Sequence, residues 1–124
     1  MARQMKPEEL LVSQVANLMK LKYPDIPFRF DQIDQVGMVS GKRNKSLHGK
    51  YSAGYPDMFI PLMRGGYGGL FLELKATATV PNTAHTRRQA VYHQILRNNG
   101  YEVHFACGFK EAKKIIKEYM KAKV

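Results

Sequence analysis

The sequence of 124 residues is short of cysteine, of acidic side chains and of long apolar runs. A single cysteine, Cys107, excludes an internal disulfide framework and suits a reducing compartment, and we expect it to be a small buried side chain. No apolar stretch approaches the length that a membrane-spanning helix requires. The N-terminal residues run directly into a helical pattern and lack the features of a secretory signal. We therefore expect a cytoplasmic protein without a membrane partner.

The shortage of acidic residues makes the chain strongly basic. Ten acidic residues stand against twenty basic ones, which gives a net charge of +10. A small domain with this charge commonly binds a polyanion, and nucleic acid is the commonest one. The lysines near the C-terminus are typical of a solvated surface, whereas a second basic cluster lies in a polar segment without helical periodicity, just before residue 54. The candidate phosphate-binding residues of that segment are Lys42, Arg43, Lys45 and Lys50.

The order of the apolar patterns predicts one mixed β-sheet flanked by helices, which is an α/β or α+β fold. Hydrophobic residues make up 44% of the chain, and neither repeats nor a linker divide it, so we expect one domain over residues 1–124. The predicted order is α-β-β-β-α-β-α. The helices are expected near residues 7–22, 87–98 and 110–121, and the strands near residues 28–30, 58–62, 70–75 and 101–105.

The second predicted helix has less clear limits than the others. Thr86 is a plausible N-cap residue, and Gly100 is a plausible stop. Helical spacing then predicts that Tyr92, Ile95, Leu96 and Asn99 form its inward side.

Two charged motifs lie at the ends of the two central strands. Asp57 follows Pro56 at the start of one strand, and Glu73 and Lys75 end the other. Residues 64–69 are rich in glycine and predict the turn that joins these strands. Because side chains alternate along a strand, Glu73 and Lys75 share one face, and Leu74 points to the other. The pattern thus predicts two carboxylates and one ammonium group beside a core.

This combination favours metal-dependent phosphodiester chemistry. Mg²⁺ or Mn²⁺ would be held by Asp57, Glu73 and the backbone carbonyl of Leu74, with water and a substrate phosphate completing the shell. The ion would polarise the phosphate and activate water. Lys75 would orient or deprotonate that water, or offset charge in the transition state, and Gln89 would reach the same water.

Side chains beside Gln89 are candidates for binding phosphate. Arg87 and Arg88 lie near the start of the second predicted helix, and His85 precedes them. The other three histidines, His48, His93 and His104, match no common zinc spacing, and we interpret them as ordinary surface or sheet residues.

A simpler interpretation remains open for each motif taken alone. Glu73 and Lys75 would form an exposed ion pair worth at most about 1 kcal/mol, and Asp57 would be a turn residue. We favour the active-site interpretation because the motifs, the glycine-rich turn and the basic charge occur together.

The paired motifs resemble the Pro-Asp…(Asp/Glu)-x-Lys signature of the restriction-endonuclease-like nuclease superfamily. Over most of its length the chain resembles the virus-type replication-repair nuclease (VRR-NUC) domains, in particular small stand-alone phage proteins. The resemblance rests on residues 54–57, 67–75 and 105–112, on Gln89, and on the pair Gly100-Tyr101.

This resemblance implies a restriction-endonuclease-like core and assigns roles to individual residues. Asp57 and Glu73 would be the metal ligands, Lys75 the catalytic lysine and Gln89 the active-site glutamine. The family also carries an acid on its first helix, for which Glu8 is the best match, although Glu9 is adjacent. The resemblance further implies a homodimer that presents two active sites, as four-way-junction resolvases do, and a phage or prophage protein that works inside a bacterial host.

We therefore expect a divalent-metal-dependent DNA endonuclease, selective for branched DNA and without a small-molecule cofactor. A domain of this size has little surface for reading base sequence, which favours recognition of DNA shape. Two alternatives remain open at this point. One is a basic nucleic-acid-binding module without catalysis, and the other is an RNA-directed nuclease with the same fold.

Overall fold

The computed structural model describes residues 4–31 and 54–124. Elements occur within them in the predicted order, which confirms the mixed α/β fold. They are α1 (Pro7–Lys22), β1 (Arg29–Phe30), β2 (Met58–Ile60), β3 (Leu70–Lys75), α2 (Ala84–Asn98), β4 (Glu102–Cys107) and α3 (Phe109–Lys121). The basic residues Lys42, Arg43, Lys45 and Lys50 and the histidine His48 lie outside the described residues. No helix in the described part of the chain is long and apolar enough to cross a membrane.

The four strands form one mixed sheet in the order β1-β2-β3-β4. The pairs β1–β2 and β2–β3 are antiparallel, and β3 pairs with β4 in parallel. The predicted glycine-rich turn joins β2 to β3. Gly69 ends this turn, and a Cβ atom there would lie 2.5 Å from Cε1 of Phe59, so the backbone can approach that ring only without a side chain.

One face of the sheet packs against α1 and α3 through aliphatic side chains. Leu70, Leu72 and Leu74 of β3 lie on this face, as the alternation predicts. The helices contribute a matching set of buried residues: Leu11, Val15 and Met19 from α1, and Ala112, Ile116 and Tyr119 from α3. This layer is the hydrophobic core of the described chain.

The opposite face of the sheet is covered by α2 and by aromatic rings. Phe71 of β3 stacks on Phe59 of β2 with ring centroids 4.3 Å apart. Tyr55 and Tyr101 meet Phe71 edge-on at 5.6 Å and 5.3 Å. Further along β3 the same face carries Glu73, and there the lining changes from aromatic to polar.

Helix α2 begins earlier than the sequence predicted. Its N-cap residue is Thr83, not Thr86. Thr86 is the third helical residue, and its hydroxyl oxygen accepts a hydrogen bond from the Thr83 amide at 3.0 Å. The Thr86 amide donates in return to the Thr83 hydroxyl at 3.2 Å, which forms a capping box. Both threonines are residue types that cap helices. The reciprocal hydrogen bonds make Thr83 the N-cap and place Thr86 inside the helix.

The predicted inward side of α2 was also wrong. The buried residues are Thr86, Gln89 and His93, whereas Ile95 is 51% exposed and Asn99 is exposed. Tyr92 and Leu96 are only half-buried. The physical reason is the chemistry of the sheet face beneath, because Glu73 and Lys75 require polar partners. His93 is therefore a buried helix residue and not the surface or sheet residue that the sequence predicted. A separate correction concerns Cys107, which is half-buried at the end of β4 and not fully buried.

Candidate active site

The predicted catalytic residues meet where β2 begins and β3 ends. Asp57 directly precedes β2, and its Oδ2 accepts a hydrogen bond from the Leu74 amide at 2.8 Å. In an antiparallel ladder the amide and the carbonyl of a residue point toward the same neighbouring strand. The carbonyl of Leu74 therefore faces the side on which Asp57 lies. Asp57, Glu73 and this carbonyl are thus placed together, as the metal-site hypothesis requires.

Lys75 and Gln89 form the second part of the site. Lys75 Nζ donates a hydrogen bond to Gln89 Oε1 at 2.7 Å. Gln89 is buried at 4% exposure on the inner side of α2, and Lys75 is partly exposed at the end of β3. An ammonium group has three donors, so this bond fixes its direction and leaves two donors for other partners. The pairing across β3 and α2 agrees with the predicted neighbourhood of these two residues.

Glu73 is the most deeply buried carboxylate of the site. Glu73 is 1% exposed, and its Oε1 lies 3.2 Å from Nε2 of His93. His93 is fully buried as well. Burial lowers the pKa of His93 to about 4, with the charges of Arg97 and Lys75 acting in the same direction. The imidazole is therefore neutral at pH 7.

Burial raises the pKa of both carboxyl groups of the site. Burial, then the hydrogen bond and the charge of Glu73, raises the pKa of Asp57 to about 8 against the opposing effects of the Leu74 amide and Lys75. Burial also raises the pKa of Glu73, although its hydrogen bond to Asp57 and the charge of Lys75 oppose this. Without a cation the site thus holds a proton on Asp57 at neutral pH. Two buried carboxyl groups in this state favour replacement of that proton by a metal ion.

A cleft with a volume of about 190 Å³ opens beside Asp57 and Leu74. Glu8 at the start of α1 lines it, so the structure brings the predicted first-helix acid to the same opening as Asp57. Glu9 is half-buried and does not line this cleft. The geometry therefore favours Glu8 over its neighbour for the predicted role.

Asp31 is an acid of this cleft that sequence reasoning missed. It lines the opening directly after β1, and its amide donates to the Asp57 carbonyl at 2.7 Å. Its charge also contributes to the raised pKa of Glu73. The available signal was an acid that directly follows a short strand-like run, as Glu73 follows residues 70–72. Strand β1 is so short that this signal was weak.

The donor set is suited to a hard divalent cation. The described residues contain no group of three histidine, cysteine, aspartate or glutamate side chains arranged to hold a metal. This argues against a closed zinc site, which needs four protein ligands. Mg²⁺ commonly uses one or two carboxylates and takes its remaining oxygens from water and phosphate. Asp57, Glu73 and the Leu74 carbonyl match that requirement.

The predicted phosphate-binding side chains of α2 lie at the helix end next to the site. His85, Arg87 and Arg88 are all exposed in the first turns, and Gln89 follows them toward Lys75. Arg87 Nη1 donates to Asn82 Oδ1 at 3.1 Å, which holds the guanidinium near the start of the helix. Their contact with phosphate stays a prediction.

Comparison with solved structures shows the same fold in a protein described as a VRR_NUC domain protein. The two chains superpose with a TM-score of 0.71 at 22% sequence identity, and the match covers 98% of this chain and 93% of the other. No protein-family model matches the sequence, and no curated protein matches it either. The resemblance found in the sequence is thus confirmed at the level of the fold.

Proposed function

We propose that this protein is a DNA endonuclease that hydrolyses phosphodiester bonds with Mg²⁺ or Mn²⁺. The observation that carries the proposal is the arrangement at the end of β3. Two carboxyl groups, Asp57 and Glu73, lie close together, and the ammonium group of Lys75, which Gln89 holds, follows Glu73 on the same face of β3. The shared fold with a VRR_NUC domain protein supports the same conclusion.

Each residue has a distinct part in the proposed reaction. Asp57, Glu73 and the Leu74 carbonyl hold the cation, with Glu8 at the mouth of the cleft as a further acid. The cation, when bound, supplies Lewis-acid polarisation of the phosphate and a more acidic water. Lys75, directed by Gln89, orients that water and offsets the charge that develops on the phosphate oxygens.

The charge of the protein supports nucleic acid as the substrate. Besides the net charge of +10, helix α3 carries five exposed lysines at helical spacing, which we call the lysine stripe: Lys110, Lys113, Lys114, Lys117 and Lys121. Within the described residues none of them forms an ion pair. Like charges at this spacing destabilise a helix, and a polyanion would remove that cost.

The finer features of the proposal derive from the resemblance to VRR-NUC domains. They are selectivity for branched or four-way-junction DNA, a homodimer that presents two sites, and action inside a bacterial host as a phage or prophage protein. Arg87, Arg88 and His85, which border the site, would contact the phosphates that flank the cleaved bond.

A cleavage assay with Mn²⁺ tests the proposal. The substrates are a four-way junction, a flap, a linear duplex, a single strand and an RNA of matched sequence. We expect cleavage of at least one DNA form, and Lys75→Met should reduce the rate at least about 100-fold because it removes the fixed ammonium group.

Lys20→Met is the matched control, since it removes an exposed lysine of α1, outside the lysine stripe, and should retain most of the activity. Salt-sensitive binding without cleavage of any DNA form would overturn the proposal in favour of a non-catalytic binding module. Cleavage of the RNA alone would instead identify an RNA-directed nuclease.

A further inference from the structure

We propose that His93 is a positioning residue that orients Glu73 for metal binding, an inference that rests on the proposed function. His93 lies one helical turn after Gln89 on the buried side of α2. Its Nε2 atom is 3.2 Å from Glu73 Oε1, and the residue is fully buried. The same face of α2 therefore fixes two adjacent functional groups of β3, the ammonium group of Lys75 through Gln89 and the carboxylate of Glu73 through His93.

The geometry selects one tautomer of the neutral imidazole. A carboxylate oxygen only accepts hydrogen bonds, so Nε2 must carry the proton if it is to stabilise Glu73. The opposite tautomer would place a lone pair against Oε1 and leave a buried N–H group without an acceptor. Nδ1 has no hydrogen-bond partner in the structure, and it is the only such buried side-chain atom among the described residues. It is therefore the unprotonated nitrogen.

The unpartnered Nδ1 indicates why a histidine occupies this position. A buried polar atom without a partner destabilises the folded protein, and an apolar side chain of similar size would avoid that cost. The ring also packs against Phe105, with centroids 4.5 Å apart, and an apolar side chain could make that contact equally well. What only the imidazole adds is the Nε2–H donor directed at Glu73.

This donor determines which oxygen of Glu73 is available to a cation. The hydrogen bond occupies Oε1 on the α2 side. The other oxygen, Oε2, has no such bond to His93 and is left for a cation, and Asp57 lies close enough to Glu73 for each to affect the pKa of the other. Hydrogen bonds of this kind to a ligating group commonly change metal affinity by about 10- to 100-fold.

The test compares His93→Leu with His93→Gln by titrating the DNA-free protein with Mn²⁺ and following binding by calorimetry. Gln places an amide N–H close to the position of Nε2, whereas Leu removes the donor. We expect Mn²⁺ affinity to fall about 10-fold in His93→Leu and to stay within about threefold of wild type in His93→Gln. A purely structural role would lower the unfolding midpoint of both variants and leave the affinity of the folded protein unchanged.

His104→Leu is the matched control. His104 Nε2 lies 3.3 Å from Glu102 Oε2, so it forms a histidine–glutamate pair of similar length, but at the surface of β4. Its removal should leave Mn²⁺ affinity unchanged. Should the affinity fall as far as in His93→Leu, the inference would be wrong.

A second measurement needs neither a variant nor a metal. ¹⁵N chemical shifts of the His93 ring in the metal-free wild-type protein should show a neutral imidazole protonated at Nε2. Protonation at Nδ1 would overturn the inference, as would unchanged Mn²⁺ affinity in a folded His93→Leu variant. Absence of Mn²⁺ binding by the wild-type protein would overturn the proposed function itself, which separates the two failures.

Discussion

The two faces of the central sheet are built from different chemistry. The face against α1 and α3 is aliphatic, with Leu70 and Leu72 of β3 fully buried. The face toward α2 is aromatic at one end and carries Glu73, Gln89 and His93 at the other. Burial is similar on both faces, so the difference lies in what is buried. This difference indicates that the aliphatic face stabilises the fold. The polar end of the other face lowers the stability of the fold in order to hold the candidate site.

That division has an energetic basis. Removing a leucine or isoleucine from water stabilises the fold by about 1.5–3 kcal/mol. Burying a carboxylate costs free energy unless hydrogen bonds and opposite charges compensate it. Glu73 has such partners, yet its pKa is still raised, which shows that the compensation is incomplete without a cation. Variants on each face should therefore separate stability from metal-dependent activity.

The largest effect on stability should come from the aliphatic face. Ile116 of α3 is fully buried in the core and remote in the sequence from the carboxyl groups. Ile116→Ala should lower the free energy of unfolding by about 3 kcal/mol, because it removes buried methyl groups and leaves a cavity. Urea denaturation measures this change.

Mn²⁺ affinity of the folded Ile116→Ala protein should stay at the wild-type value. Lys75→Met should show the opposite pattern, with lost cleavage and a smaller loss of stability than in Ile116→Ala. If Ile116→Ala weakened Mn²⁺ binding in its folded state, the two faces would not be functionally separate.

An intermediate effect is expected at Asp57, and its sign reverses with metal. Burial and the neighbouring Glu73 raise the pKa of Asp57 from its ordinary value of 3.8 to about 8 in the folded metal-free protein. Between these values the unfolded chain releases a proton that the folded chain keeps. Stability of the metal-free protein should therefore fall as the pH rises from about 4 to about 8. Asp57→Asn removes this loss and retains an oxygen that can accept from the Leu74 amide.

At pH 8 without metal, Asp57→Asn should be more stable than wild type, and the difference should shrink toward zero as the pH falls to about 4. With saturating Mn²⁺ the wild-type protein should become the more stable one, because only it binds the cation well. Thermal unfolding across this pH range, with and without Mn²⁺, provides the measurement. Identical pH profiles for the two proteins would show that Asp57 does not carry the raised pKa.

The smallest effect concerns the outer surface of α3, beyond both faces of the sheet. Lys113→Glu and Lys117→Glu should each weaken DNA binding several-fold without changing the stability of the core. Each lost phosphate contact should reduce the slope of log affinity against log salt concentration by about 0.9. Fluorescence anisotropy in the absence of divalent metal measures both quantities.

Lys20→Glu is the matched control, since it makes the same charge change on the exposed surface of α1. An equal loss of affinity in this control would mean that only net charge matters. The lysine stripe would then have no special role.

Sequence reasoning succeeded where local chemistry and burial agree. A hairpin of β2 and β3 positions the motif residues Asp57, Glu73 and Lys75. The glycine-rich turn and the alternating leucines of the sequence predict this hairpin. Helix α3 was equally clear, because Ala112, Ile116 and Tyr119 form one apolar stripe. Their roles in metal binding and catalysis stay predictions.

The same reasoning failed on α2 because the buried side of this helix is polar. Hydrophobic periodicity selects Ile95, which is exposed, and passes over Gln89 and His93, which are buried. The cause lies in β3, whose charged residues pack against α2, and a single-helix pattern contains no information about that partner. The contact between His93 of α2 and Glu73 of β3 therefore could not be predicted from the sequence of α2.

The hairpin also has a consequence for the order of folding. Strands β2 and β3 are neighbours in the chain, joined by residues 61–69, and β-hairpins form within about 1–10 µs. The parallel pairing of β3 with β4 must wait until the intervening chain has formed α2 and crossed over. We therefore predict that Asp57 and Glu73 meet early, before Gln89 and His93 reach their places. A divalent cation bound at that stage would act as a template on which the second half of the protein assembles.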